Sequence, residues 1–161
     1  MKLDQLRDPT LLGMATTATV ALLHNAFPAS LWIGHVGDSP AFRLRHGQLQ
    51  KLLREDSVVC DMVDEGLVTP EDAVHHPKRH IITQALGGHG GISPHVTAHD
   101  VEPGDCLMLC TDGLTNMVSE VDIGRIIGAE TPASACKKLI EAANNAGGAD
   151  NVTVVVMRLI S

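Results

Sequence analysis

The chain has 161 residues, a formal net charge of -7, and 44% hydrophobic against 19% charged residues, the balance of one globular domain able to bury roughly two-thirds of its unfolded surface. The acidity argues against non-specific nucleic-acid binding, which needs Lys and Arg to displace the counterions around phosphates. No apolar run approaches the roughly 18 residues of a membrane span, and no apolar h-region follows Lys2, so cytoplasmic residence is the expectation.

ATTATVALL (15–23) and SLWIGHVG (30–37) are β-branched and apolar runs, separated by NAFPA, where Asn25 and Pro28 mark a turn. AFRLR and QLQKLLR flank His46-Gly47 and predict a hairpin in which the glycine supplies a positive φ. Together these four segments predict an antiparallel meander. After it the period changes: Val58, Val59, Met62 and Val63 recur at helical spacing, with Asp56 or Ser57 as cap and Gly66 as stop. Thr69-Pro70-Glu71-Asp72 supplies a cap, a proline at the first helical position and acids in the first turn, and so starts a second short helix. HHPKRHIITQALGGHGGISP reads as an irregular connection.

VTAHDV and DCLMLC resume strand character, with Glu102-Pro103-Gly104-Asp105 as the turn between them. Ser119 and Thr131-Pro132 start two further helices. In the second, Cys136, Leu139, Ile140 and Ala143 form one apolar face that Gly147-Gly148 terminates. NVTVVVMRL is nearly continuous in its apolar residues and predicts a closing strand buried on both faces. Strands dominate and helices are placed to cover them, which predicts an α+β layered domain over 1–161. Trp32 is expected to fill core.

Three aspartates sit where a strand-like run meets a glycine or asparagine, or lies within one residue of one: Asp38 in LWIGHVGDS, Asp112 in LMLCTDGL and Asp150 in GGADNVTVVV. A carboxylate at a strand end is held at the rim of a core yet open to water. Mg²⁺ and Mn²⁺ take oxygen ligands of this kind in near-octahedral geometry. Singly, such an aspartate is a turn residue or helix cap; in combination, the three predict a metal site assembled from distant parts of the chain. Cys60, Cys106, Cys110 and Cys136 lie inside apolar patterns as small buried hydrophobes, and Cys106 and Cys110 are spaced too far apart along a strand for one tetrahedral zinc. His75, His76, His80 and His89 read as solvated loop histidines and GGHGG (Gly87 to Gly91) as flexible linker. Arg79 beside Lys78 reads as a surface pair, with a substrate contact as the other reading.

GMATT, VGDSPAFRLRHGQL, LVTPEDAVHHPKRHIITQALG, VEPGDCLMLCTDGLTNMV and GGADNVTVVVM occur, in this order, from Gly13 onward. This succession resembles the metal-dependent type 2C (PPM-type) protein serine/threonine phosphatases, most closely the bacterial-style members. The resemblance implies a sandwich of two antiparallel sheets flanked by helix pairs, with a Mn²⁺ or Mg²⁺ centre of two or three ions at one end. By motif, Asp112 and Asp150 match metal ligands of that centre, and Asp38 matches the residue that helps to hold the third metal. No catalytic residue beyond the metal ligands is implied. Residues 54–80 correspond to the family's flap, and the implied partners are phosphoprotein substrates, with a serine/threonine kinase or its targets among them.

The sequence also departs from the family pattern. An Arg-x-x-Asn-Glu-Asp strand and an Asp-Gly-x-Gly-Gly strand end are absent, so the chain reads as an N-terminally truncated domain lacking the first strands. With them go a phosphate-binding arginine and the bridging aspartate. Pro40 stands where an arginine usually follows Gly-Asp-Ser. Two functions follow: a metal-dependent phosphoprotein phosphatase of weak or incomplete activity, or a non-catalytic phosphatase-like module that binds a phosphoprotein or regulatory partner. An open sheet edge, and exposed inner sides of ATTATVALL and SLWIGHVG, predict self-association.

Overall fold

The structure, a computed structural model, describes residues 8–24, 29–88 and 91–160. The turn expected at Asn25 and Pro28, and His89 of the glycine-rich loop, lie outside the described residues.

Among the described residues seven strands form two antiparallel sheets. β1 (Ala18–His24), β2 (Ser30–Val36) and β5 (His95–Asp100) make a three-stranded sheet in the order β1-β2-β5. β3 (Ala41–Arg45), β4 (Gln48–Lys51), β6 (Cys106–Cys110) and β7 (Val154–Arg158) make a four-stranded sheet in the order β4-β3-β6-β7. The helices are α1 (Val58–Asp64), α2 (Pro70–Ala73), α3 (Asp112–Thr115), α4 (Glu120–Ala129) and α5 (Pro132–Asn145). Their starts follow local chemistry: the side chains of Ser57, Thr69, Ser119 and Thr131 each accept a hydrogen bond from a backbone N–H three residues on, satisfying donors that the first turn leaves orphaned.

The four-strand meander is corrected. β1 pairs with β2 and β3 with β4, but the chain changes sheet between β2 and β3. Gly37 makes this possible: it is buried at φ 107, and a Cβ there would lie 2.3 Å from Cγ2 of Thr17. Pro40 has no N–H for a ladder, and its carbonyl instead accepts from the Cys110 N–H at 3.1 Å. The hairpin turn has positive φ at both His46 (50°) and Gly47 (78°), the type I′ geometry that matches strand twist.

Alternation along β6 divides the core. Cys106, Met108 and Cys110 join Phe42 and Leu44 against Ile123, Ile127, Leu139 and Ala143 of α4 and α5. Leu107 faces the other way, joining Ala41, Leu31, Ile33, Leu52 and Val101 between the sheets. Each fully buried Leu or Ile contributes about 1.5–3 kcal/mol relative to exposure.

Two further expectations are overturned. The inner sides of β1 and β2 are not exposed, since Leu31 and Ile33 are buried against the second sheet; the outer side is the open one. There Trp32 is 47% exposed rather than core. Trp32 pairs with Leu22 and Ala98, and Gly34 with Val20 and Val96, so Val20, Leu22, Trp32 and Val96 share one exposed face. β7 is half-buried on one face, through Val154 and Val156, and open on the other: Val155 and Met157 are exposed, on the side shared with Leu107 and Leu109. β7 is a terminal strand of its sheet, paired along one edge only among the described strands.

Candidate metal centre

Asp112 opens α3 immediately after β6. Its Oδ2 accepts from Asn116 Nδ2 at 3.1 Å, one helical turn on, which orients the carboxylate. The following residue must be glycine: a Cβ at Gly113 would lie 2.3 Å from the Asn151 carbonyl oxygen and 3.4 Å from Asp150 Cβ. This close approach brings the loop entering β7 against the end of β6. Thr111 secures it, with its Oγ1 donating to the Asn151 carbonyl at 3.2 Å and accepting from the Thr153 N–H at 3.0 Å. Asp150 is exposed, and its Oδ1 accepts from the Asn151 N–H at 2.7 Å.

Asp38 sits half-buried on the turn between the sheets. Burial pushes its carboxyl above the usual range, and the charge of Asp112 adds to the effect, so these two carboxylates are electrostatic neighbours. A bound cation would act in the opposite direction.

Asp112 lies where two cavities meet. One of about 480 Å³ is lined by Asp38, Glu55, His80 and Asp112; a smaller one of about 190 Å³ is lined by Arg79, His80, Asp112, Asn116 and Asp150. The three sequence-predicted aspartates are thus brought together pairwise around Asp112. Among the described residues no three His, Cys, Asp or Glu side chains converge as a complete ligand set. Nor does any of the three aspartates form an ion pair with a described basic residue. An all-oxygen donor set with no basic partner fits a hard divalent cation that keeps several waters.

Sequence reasoning missed the support beneath Asp38. His35 is fully buried, with Nε2 2.6 Å from the Gly37 carbonyl and Nδ1 2.9 Å from Thr19 Oγ1. Burial pushes its pKa down, which favours the neutral ring; the carbonyl can only accept, so Nε2 carries the hydrogen. Asp56, also buried, accepts from the Gly37 N–H at 2.8 Å and from Gln84 Nε2 at 3.0 Å, while its Oδ1 lies 3.0 Å from His95 Nε2. Of the two expected caps, Ser57 caps α1, leaving Asp56 to clamp this turn. The one signal was an aspartate too close to a better cap to be needed there.

Other residues depart from their readings. Arg79 is half-buried and lines both cavities, instead of pairing with Lys78 at the surface. His80 lines both cavities as well but, like His75, is exposed, in keeping with its reading as a solvated loop histidine. All four cysteines are free. Cys106 and Cys110 are buried, and burial pushes the Cys110 thiol up to about 12, so it is protonated and unreactive at neutral pH.

Two antiparallel sheets with flanking helices define an α+β sandwich, with Asp38, Asp112 and Asp150 lining cavities at one end. Residues 8–160 match the family described as Stage II sporulation protein E (SpoIIE), and the chain belongs to this SpoIIE/PPM-type family. It is similar to the serine/threonine protein phosphatase PstP of Mycobacterium tuberculosis (strain ATCC 25618 / H37Rv), at 40% identity over 153 residues, 95% of this chain and 29% of that protein. The crystal structure of the Mycobacterium tuberculosis phosphatase PstP/Ppp matches with a TM-score of 0.92 and 39% identity over 99% of this chain and 66% of that one. A PstP catalytic domain crystallised with 2 manganese ions matches with a TM-score of 0.87 and 36% identity, over 99% and 65% of the respective chains. The chain thus spans under a third of the PstP protein and about two thirds of the crystallised domains.

Proposed function

We propose that the chain acts as a metal-dependent phosphoprotein phosphatase on phosphoserine and phosphothreonine, with Mn²⁺ or Mg²⁺ held by Asp112, Asp150 and Asp38. The observation that carries this reading is Asp112, which has no basic partner and is shared by two cavities whose further walls hold Asp38 and Asp150. When bound, the ions supply a water acidic enough to attack at neutral pH and offset charge on the phosphoryl oxygens. The chain's own residues place the donors. Gly113 and Thr111 bring Asp150 against Asp112, Asn116 orients one Asp112 oxygen, and His35 with Asp56 fixes the Asp38 turn. The buried Cys110 thiol offers no alternative nucleophile.

Residues 54–80 act as the flap in this reading, supported by Glu55, Val59, Val74 and His80 on the wall of the larger cavity. One domain over 1–161, cytoplasmic residence, a serine/threonine kinase or its targets as partners, and self-association complete the proposal; the four free cysteines suit a reducing compartment. Among the described residues no helix is long and apolar enough to cross a membrane. Hydrolysis of p-nitrophenyl phosphate and of a phosphothreonine peptide, with and without EDTA, is the test. Turnover should require Mn²⁺ or Mg²⁺ and vanish in Asp112→Ala; activity surviving both would sink the metal-water mechanism.

The incomplete convergence of ligands favours a second reading, a phosphatase-like module that binds a phosphoprotein without hydrolysing it. It predicts phosphopeptide binding with no release of phosphate.

A further inference from the structure

Arginines in folded proteins find acceptors, and nearly every described arginine here has one. Arg43 and Arg45 hold Asp100 and Asp105, Arg54 holds Asp61 and Asp64, Arg125 holds Asp122, and Arg158 holds the Ile127 and Glu130 carbonyls. Arg79 is the exception among the described residues: no side-chain hydrogen bond or ion pair involves its guanidinium. It is half-buried on the walls of both cavities, which also carry the three uncompensated aspartates. If its role were to neutralise those carboxylates, it would be paired with one of them, since each of its cavities is lined by two.

The backbone around Arg79 is tied down. Its N–H donates to the His76 carbonyl at 3.1 Å, the Ile81 N–H donates to Lys78, and the Val58 N–H donates to Ile81 at 2.9 Å, anchoring the segment to the start of α1. A guanidinium held beside a cation site with its donors unspent suits a planar fork for phosphate oxygens.

We propose that Arg79 is a residue that binds the phosphoryl group of the substrate, holding a phosphomonoester dianion in the cavities it shares with Asp112, beside the cation site. This rests on the phosphatase reading above. Carboxylates alone repel a dianion, so phosphate binding here depends on both Arg79 and the metal. Arg79 itself takes no part in binding the metal.

Calorimetry on the whole chain separates these roles. Mn²⁺ alone, then inorganic phosphate and a phosphothreonine peptide in the presence and absence of Mn²⁺, are titrated into wild type, Arg79→Ala and Arg79→Lys, with thermal melts as the folding control. Arg79→Ala should keep Mn²⁺ affinity within about twofold and weaken phosphate and phosphopeptide by roughly tenfold or more, the value of a lost charge-assisted hydrogen bond. Arg79→Lys should recover only part, as a point charge lacks the fork. Phosphate affinity unchanged in Arg79→Ala overturns the proposal, as does an equal loss of Mn²⁺ and phosphate affinity. Mn²⁺ binding without any phosphate binding in wild type overturns it too, leaving the metal reading intact. Absence of Mn²⁺ binding in wild type overturns the metal reading instead; the metal-free titrations then decide, sensitivity to Arg79→Ala supporting the contact and insensitivity or no binding refuting it.

Discussion

At Asp112, one residue's neighbours explain both its conformation and its chemistry. Gly113 leaves room for the Asn151 carbonyl, so Gly113→Ala must push the two strand ends apart. Overpacking of this kind costs about 1–3 kcal/mol, and the loss should appear as a lower thermal midpoint together with weaker Mn²⁺ binding. A ligand that binds only the folded state stabilises it by mass action. Mn²⁺ should therefore raise the melting temperature of the wild type and leave Asp112→Asn/Asp150→Asn unmoved; equal Mn²⁺ stabilisation of both would remove these aspartates from the site. Asp112 and Asp150 were legible in the sequence because a strand end beside glycine or asparagine leaves few conformations for a carboxylate. Arg79 was not: its reading turns on which partner it lacks, a property of its surroundings alone.

Among the elements, β6 carries the most of the core. Leu107 lies between the sheets, and Leu107→Ala should cost about 2–5 kcal/mol in denaturant melts. The hairpin of β3 and β4 is tied to the strand turn before β6 by charge. Arg45 donates through Nε and Nη2 to the two oxygens of Asp105, at 2.7 and 2.6 Å, and the Asp105 side chain is wholly buried. Burial pushes the Asp105 carboxyl up, but the hydrogen bonds from Arg45 and the Glu102 N–H outweigh it and hold its pKa below the usual carboxylate range. A carboxyl with a lowered folded pKa stabilises the fold fully above its unfolded pKa of about 4, and that contribution is lost as pH falls through the folded value. Asp105→Asn should cost about 2–3 kcal/mol at pH 7 and flatten the fall in stability as pH drops below about 4, measured as chemical-denaturation midpoints. The apolar run of DCLMLC was readable as a strand. Its division between two cores was not, because the pattern does not say what covers each face.

On the scale of the whole molecule, the outer face of β1, β2 and β5 presents Val20, Leu22, Trp32 and Val96 to solvent, and β1 is an unpaired edge among the described strands. Contiguous apolar surface of this kind mediates association. Light scattering should show mass rising with concentration, and Leu22→Lys with Trp32→Lys should suppress the rise. A separately supplied segment carrying the absent Asp-Gly-x-Gly-Gly motif should raise the denaturation midpoint. A stable monomer, indifferent to both changes, would mean that this face needs no cover.

By itself the sequence determined what acts over a few residues. The caps at Ser57, Thr69, Ser119 and Thr131, the turn at His46-Gly47, the α+β class and two of the carboxylate positions all follow from backbone geometry and side chains within a turn of one another. Only the tertiary structure decided which strands share a sheet, that Trp32 faces outward, that His35 and Asp56 hold the Asp38 turn, and that Arg79 reaches the carboxylate cavities. Those outcomes depend on surfaces meeting across tens of residues, where burial and pairing are settled by what packs opposite rather than by what is adjacent in the chain.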